Sequence, residues 1–389
     1  MLIHPKFRGF VCTTSHPLGC KKNIEEQISY ALKNPFKGPK NALIIGASTG
    51  YGLAARIALT FGAKTNTLGV FFEKPSSKAR PATSGWYNTA YFEMKALAYG
   101  YKAYSINGDA FTFETKEKTI EVIKKHFGKI DCLIYSLAAP RRTDPVTKKV
   151  YTSVLKPVLN SYTNKTVDFH TYEVFDVTIP YATEEELEHT IRVMGGDDWK
   201  LWLEALAKED VLAEGIKTYA FSYIGPKLTY PIYRNGTVGK AKEHLEETSL
   251  KLKEFLLSYN GDALISVNKA VVTQASAAIP IVPLYLSILY KVMKEKGLHE
   301  GCIEQMVRLF KEDNKVDLQG RIRLDNYEMQ EDVQREVQEI WPKVTSRNVK
   351  SLTDIEGYRE DFFKLFGFKV ALVDYNEDVD LNIKIPSIS

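Results

Sequence analysis

Long apolar runs are missing from this chain of 389 residues. Its most apolar stretch, Ala275 to Tyr290, falls short of the roughly 18 residues a membrane-spanning helix needs. It contains Pro280 and Pro283 and is closed by Lys291. It reads as a buried helix or a pocket wall, and no membrane span is expected. Cysteine is scarce: Cys12, Cys20, Cys132 and Cys302, with no C-x-x-C pair. Cys12 and Cys20 stand near His4 and His16, yet the spacing fits no usual zinc pattern, so no metal is expected. Reduced thiols in the cytoplasm are the simpler reading. Lys6 and Arg8 run into a mixed polar segment, which does not fit a secretory leader. A basic stripe is lacking too. The formal charge of +4 is spread along the chain, and Lys21-Lys22 and Lys124-Lys125 read as solvated faces. Nucleic acid is therefore not an expected partner. Repeats and low-complexity segments are absent.

What is present is ample core material: 44% of residues are apolar and 12% aromatic. Short apolar runs alternate with longer amphipathic ones, the pattern of a parallel sheet wrapped by helices. Expected strands are Ala42–Ile45, Thr67–Phe72, Lys102–Ile106, Cys132–Ser136, Thr218–Tyr223, Ala263–Val267 and Val370–Val373. Helical patterns near Gly50–Phe61, Asn88–Tyr99 and Lys116–Phe127 separate the first four. The fold class is thus α/β, a Rossmann-type doubly wound parallel sheet flanked by helices. Residues 1–389 read as a single enlarged domain. Residues 1–40, with four prolines, read as an ordered N-terminal arm. Residues 140–215 fill the long gap before the fifth strand and read as an insertion, with helical stretches at Glu184–Arg192 and Asp197–Ala207. An insertion after a strand's carboxyl end sits beside the ligand crevice of such a sheet, so it is a candidate lid or substrate wall.

The turn Gly46-Ala47-Ser48-Thr49-Gly50-Tyr51-Gly52 links the first strand to a helix-forming run. Its glycines permit a tight turn and close backbone approach to a pyrophosphate, and the helix start supplies free N–H groups and a positive dipole end. The spacing is G-x-x-x-G-x-G, and the Gly-Lys-Ser/Thr of a P-loop is lacking, which argues against an ATPase. The second strand ends in Phe72-Glu73, where a Rossmann unit holds the adenosine ribose. A carboxylate there repels a 2′-phosphate and favours NAD(H), although Lys74, Lys78 and Arg80 lie close by. Asp109-Ala110 follows the third strand, where Asp109 could meet the adenine edge. Ser136-Leu137-Ala138-Ala139 ends the fourth, with small residues suited to ribose and nicotinamide.

After the fifth strand come Tyr223-Ile224-Gly225-Pro226, Tyr230 and Tyr233, then Asn235-Gly236 and a helix from about Thr237, with Thr237 as N-cap. A tyrosine beside a lysine suits hydride chemistry. The phenol can protonate or hydrogen-bond an oxygen that gains charge, and the ammonium can lower the phenol's pKa and hold the nicotinamide ribose. Spacing leaves Lys240 and Lys242 as equal candidates to partner Tyr233. None of the seven histidines falls in a credible triad, and His244 reads as solvent-facing.

With these runs in view the chain resembles the single-chain trans-2-enoyl thioester reductases: the FabV-type enoyl-acyl-carrier-protein reductases and the trans-2-enoyl-CoA reductases. The resemblance spans nearly the whole length. It is carried by Arg8–Thr14, Gly46–Gly52, Tyr223–Pro226, Tyr233 to Lys242, Val272–Pro280 and His299–Gln305. It implies an enlarged short-chain dehydrogenase with a Tyr-x8-Lys pair, which selects Lys242 over Lys240. It further implies Tyr233 as proton donor or enolate stabiliser and Tyr223 as a substrate contact. Implied NADH contacts are Gly46, Ala47, Ser48, Thr49, Gly50, Tyr51, Phe72, Glu73, Asp109, Ala110, Leu137, Ala138, Lys242, Val271, Val272 and Thr273. The implied reaction reduces the double bond of a trans-2-enoyl thioester, carried on acyl carrier protein or coenzyme A, by a cytoplasmic monomer. A 3-hydroxyacyl or carbonyl dehydrogenase on the same scaffold is the second reading, and a non-catalytic NAD-binding regulator the third.

Overall fold

The computed structural model describes residues 1–8, 11–78, 80–311 and 314–388. Its centre is a seven-stranded sheet: β1 (Asn41–Ile45), β2 (Asn66–Phe71), β3 (Ala103–Asn107), β4 (Ile130–Tyr135), β5 (Leu212–Ser222), β6 (Asp262–Val267) and β7 (Arg321–Arg323). The spatial order is 3-2-1-4-5-6-7 and every pairing is parallel. The order reverses between β1 and β4, which opens a crevice beyond their carboxyl ends.

Alternation along the strands divides the core. Ala42, Ile44, Cys132 and Ile134 face one side, where they meet α1 (Pro17–Lys33), α2 (Gly50–Ile57), α3 (Ser84–Ala98) and α9 (Cys302–Lys311). Leu43, Ile45, Leu133 and Tyr135 face the other, against α4 (Phe113–His126), α6 (Asp197–Lys208) and α7 (Thr237–Leu256). All five residues of β1 are buried, as expected for a parallel strand covered on both faces. A third core surrounds α8 (Val282–Glu295), with α10 (Glu331–Ile340) and α11 (Ile355–Lys364) packed on it.

Six strands lie at the expected places, within one or two residues at most ends; β5 starts earlier. The seventh does not. Val370–Val373 forms a turn, because Lys369 and Leu372 adopt left-handed backbone at φ 56° and 63°. The sheet edge is β7 instead, which pairs through Ile265, Ser266 and Val267 of β6. The arm at 1–40 carries the 17-residue α1, whose Cys20, Ile24 and Ile28 are buried. Within 140–215, two hairpins (Arg141–Thr143 with Val150–Thr152, and Tyr162–Asp168 with Glu173–Ile179) precede α5 (Glu184–Met194) and α6. The longer hairpin packs Val167, Phe169 and Ile179 onto the α8 core. α6 lies on the sheet itself, its Trp199 and Trp202 wholly buried, and leads directly into β5 as a crossover helix does.

Candidate active site

The glycine turn is built by close approach. A Cβ on Gly46, whose φ is +86°, would stand 2.2 Å from the Ser136 carbonyl, and one on Gly52 would stand 2.0 Å from that of Gly46. The turn thus lies flat between the ends of β1 and β4. Gly50 also has positive φ, with nothing within 4 Å of its would-be Cβ: the turn bulges into open space there. Thr49 occupies the N-cap of α2 without a side-chain hydrogen bond to the first turn. The N–H groups there lack the usual hydroxyl partner and suit a pyrophosphate.

Ser48 Oγ donates to Glu73 Oε1 at 2.7 Å. Burial raises the Glu73 carboxyl above its usual range, opposed by hydrogen bonds from Thr83 and Ser48. Gly46–Gly50 also spells G-x-S-x-G, but this serine hydroxyl is committed to a carboxylate and no nucleophile elbow results. Phe72 is 76% exposed beside Glu73, an open apolar face at the adenosine end. Asp109 Oδ1 accepts from the Phe111 N–H and so shapes the turn before α4. Ala110 is buried and gives its carbonyl to Lys116. Leu137 is half-buried and Ala138 exposed at the crevice. Tyr51 turns its hydroxyl inward, donating to the Lys269 carbonyl at 2.6 Å. Val271 and Val272 are buried past β6; Thr273 opens a short helix, Gln274–Ala277, by exchanging bonds with Ser276. Gly9 and Phe10 of the Arg8–Thr14 run lie outside the described residues.

Tyr233 lies in the turn ahead of α7. Gly239 makes this possible: a Cβ there would stand 2.2 Å from the Tyr233 carbonyl. The helix is capped by Gly236, not Thr237; Thr237 donates instead to the Val154 carbonyl and ties the insertion down. The rings of Tyr223 and Tyr233 meet edge-on, centroids 4.9 Å apart. Burial pushes both phenols above their ordinary pKa, which keeps them protonated as donors. Of the two lysines, Lys240 pairs along its helix with Glu243 at 2.8 Å. Lys242 turns toward the sheet and donates to the Phe221 carbonyl at 2.9 Å. Burial pushes its pKa down to about 8. His244 is not simply solvent-facing: its Nδ1 accepts from the Gly196 N–H at 3.1 Å, joining α7 to the start of α6.

Sequence reasoning missed the floor of this site. Glu328, wholly buried, accepts from Tyr223 at 2.9 Å and Tyr285 at 2.7 Å on Oε1, and from the Ala270 N–H at 2.7 Å on Oε2. Lys269 is buried beside it, over the Tyr290 ring at 4.8 Å, its pKa pushed down to about 8 by desolvation. The signal for Lys269 was its place just past β6; Glu328 sits in a polar loop that nothing in the sequence marks.

Comparison with known proteins gives the family. A family model described as the trans-2-enoyl-CoA reductase catalytic region matches residues 80–314. One for the NAD(P)H binding domain of trans-2-enoyl-CoA reductase matches residues 2–78, which hold the glycine turn and Glu73. A third, an enoyl reductase FAD binding domain, matches residues 316–379. The described residues there do not fit a flavin dinucleotide. They contribute a three-residue edge strand and helices whose buried faces are spent on α8, with no glycine-rich strand-to-helix turn. A trans-2-enoyl-CoA reductase [NADH] of Ruminiclostridium cellulolyticum is 54% identical, with all of both chains covered. An enoyl-[acyl-carrier-protein] reductase [NADH] of Coxiella burnetii is 56% identical over 100% of this chain and 98% of its own. The crystal structure of the Clostridium acetobutulicum trans-2-enoyl-CoA reductase in complex with NADH superposes with a TM-score of 0.96 at 44% identity, over 99% and 100% of the two chains. The chain belongs to the trans-2-enoyl-CoA reductase family.

Proposed function

We propose that this chain reduces the carbon–carbon double bond of trans-2-enoyl thioesters with NADH, and that Tyr233, Tyr223 and Lys242 divide the work. The observation that carries the residue roles is the meeting of Tyr233 with Tyr223 at the carboxyl end of β5, where Lys242 also reaches in. NADH, when bound, supplies a hydride to the β-carbon. The Gly46–Gly52 backbone holds its pyrophosphate and Glu73 its adenosine ribose, which disfavours a 2′-phosphate. Negative charge then gathers on the thioester oxygen. Tyr233 donates a hydrogen bond or proton to that oxygen, and Tyr223 contacts the same substrate. Lys242 has one donor on Phe221 and two left for the nicotinamide ribose. The α8 segment and the Tyr162–Ile179 hairpin supply an apolar acyl wall. The working unit is a single chain in the cytoplasm, and relatives named for coenzyme A and for acyl carrier protein make either carrier a candidate.

The test follows NADH absorbance with crotonyl-CoA and with a longer enoyl-acyl carrier protein, repeated with NADPH. Saturated product from either carrier supports the reading. Tyr233→Phe should cut turnover by about 10²–10⁴-fold while NADH still binds; near-normal turnover would remove Tyr233 from its role. Oxidation of a 3-hydroxyacyl thioester with NAD, without enoyl reduction, would replace the reaction class.

A further inference from the structure

We propose that Glu328 is a positioning residue for Tyr223: its protonation state decides whether the Tyr223 hydroxyl donates into the floor of the site or toward the substrate oxygen. This rests on the reductase reading above. A carboxylate has only acceptors, so an ionised Glu328 accepts hydrogen bonds from both phenols, Tyr223 and Tyr285, on the single atom Oε1. Tyr223 is then turned away from any ligand. In the neutral acid one placement of the proton satisfies every neighbour. Oε2 serves best as the carbonyl oxygen that accepts from the Ala270 N–H, while both phenols lie on Oε1, so the proton is best placed on Oε1, where it is donated to one of them. Tyr285 already accepts from Gln334 Nε2 at 3.2 Å, which leaves Tyr223 as the better acceptor. Once Tyr223 accepts from Glu328, its own O–H is free for a developing enolate oxygen. No covalent step is added: the acid changes the direction of a hydrogen bond, and the electrons and protons of the reduction are unaltered.

The surroundings set this switch. Lys269 at the end of β6 favours the carboxylate, while Asp325 in the preceding turn opposes it, and Tyr223, Tyr233 and Tyr285 complete the faces around it. Asp325 is itself held by Arg323 at 2.7 Å. Burial outweighs the rest and raises the Glu328 pKa above the carboxylate range.

The experiment compares the pH dependence of kcat for wild type, Glu328→Gln, Tyr223→Phe and the double variant, with crotonyl-CoA and NADH. A glutamine amide donates permanently from the Oε1 position and keeps an acceptor for Ala270 N–H. Wild-type kcat should fall by about tenfold per pH unit above a limb that Glu328→Gln lacks. In the Tyr223→Phe background the Glu328→Gln change should leave the profile unaltered. Coincident profiles for wild type and Glu328→Gln overturn the inference, and so does a Gln effect that survives removal of Tyr223. A Glu328→Gln protein that binds NADH as wild type does yet has no activity at any pH also overturns it. Wild type without enoyl reduction would instead overturn the reductase reading beneath it.

Discussion

At the scale of single residues, burial does most of the chemical tuning. Lys242 has an ordinary lysine's charge only below its lowered pKa of about 8, because desolvation penalises the ammonium. The ammonium predominates below that value and is lost above it. NADH affinity should therefore fall as pH rises through about 8, read as a rising dissociation constant by fluorescence titration. Lys242→Met should bind weakly and without this dependence. Lys242→Arg, whose guanidinium stays charged, should move the fall out of range. A wild-type dissociation constant flat across that pH would deny Lys242 its place on the cofactor. The order of Tyr233 and the helix after it was legible in the sequence, because a strand end, a turn signal and a helical run mark it. The choice between Lys240 and Lys242 was not legible in spacing. It depends on which way a helix face turns, and Lys240 faces outward to Glu243. Glu328 was invisible for a different reason. A buried acid differs from a surface acid only in its partners, and Tyr223 lies 105 positions away.

Among the elements, α4 and α6 are joined by a charge pair taken wholly out of water. Lys116 Nζ donates to Asp198 Oδ1 at 2.8 Å and to the Ala110 carbonyl, and Tyr135 of β4 donates to Asp198 Oδ2. Desolvation lowers the lysine's pKa and raises the aspartate's, and each charge is the other's largest offset against that burial. Removing one partner leaves a buried charge. Lys116→Met should cost about 3–5 kcal/mol in urea unfolding, and Lys116→Met with Asp198→Leu should recover much of it. Equal losses in the single and double variants would show that packing, not charge, joins the helices. The expected helices Glu184–Arg192 and Asp197–Ala207 lie close to α5 and α6 because their apolar residues recur at helical spacing. The edge strand β7 escaped notice because three residues, Arg321-Ile322-Arg323, carry no run of hydrophobics. The valines at 370 and 373 suggested a strand, but propensity yields where the turn demands positive φ at Lys369 and Leu372.

Over the whole molecule, the end of the chain returns to its beginning and fastens the cofactor half. The Met1 ammonium donates to the Val379 carbonyl at 3.1 Å. Beyond it the tail crosses α3: Trp86 Nε1 donates to the Ile383 carbonyl and the Tyr87 hydroxyl to that of Leu381. Ser387 then places its N–H and hydroxyl on the two oxygens of Glu93, at 2.9 and 2.8 Å, and accepts from the Ser105 N–H of β3. Glu93 is wholly buried, with the equally buried Arg56 of α2 at 3.8 Å. The tail thus completes the shell of a charge pair that lies under the nucleotide-binding helix. A chain ending at Asp380 keeps the Met1 bond but loses the five from Leu381 onward, and without Ile385 it uncovers Phe71 and Ala90. With net contributions of about 1 kcal/mol for each neutral bond and about 1.5–3 kcal/mol for each of those to the carboxylate, the loss is on the order of 6–9 kcal/mol. Scanning calorimetry should record a melting temperature lower by several degrees, on the order of 5 °C or more. Glu93→Gln in the full-length chain should reproduce part of that fall, since it keeps the shape and removes the charge Ser387 and Arg56 share. A truncated chain melting with wild type would mean that α2, α3 and β3 hold the Arg56–Glu93 pair unaided.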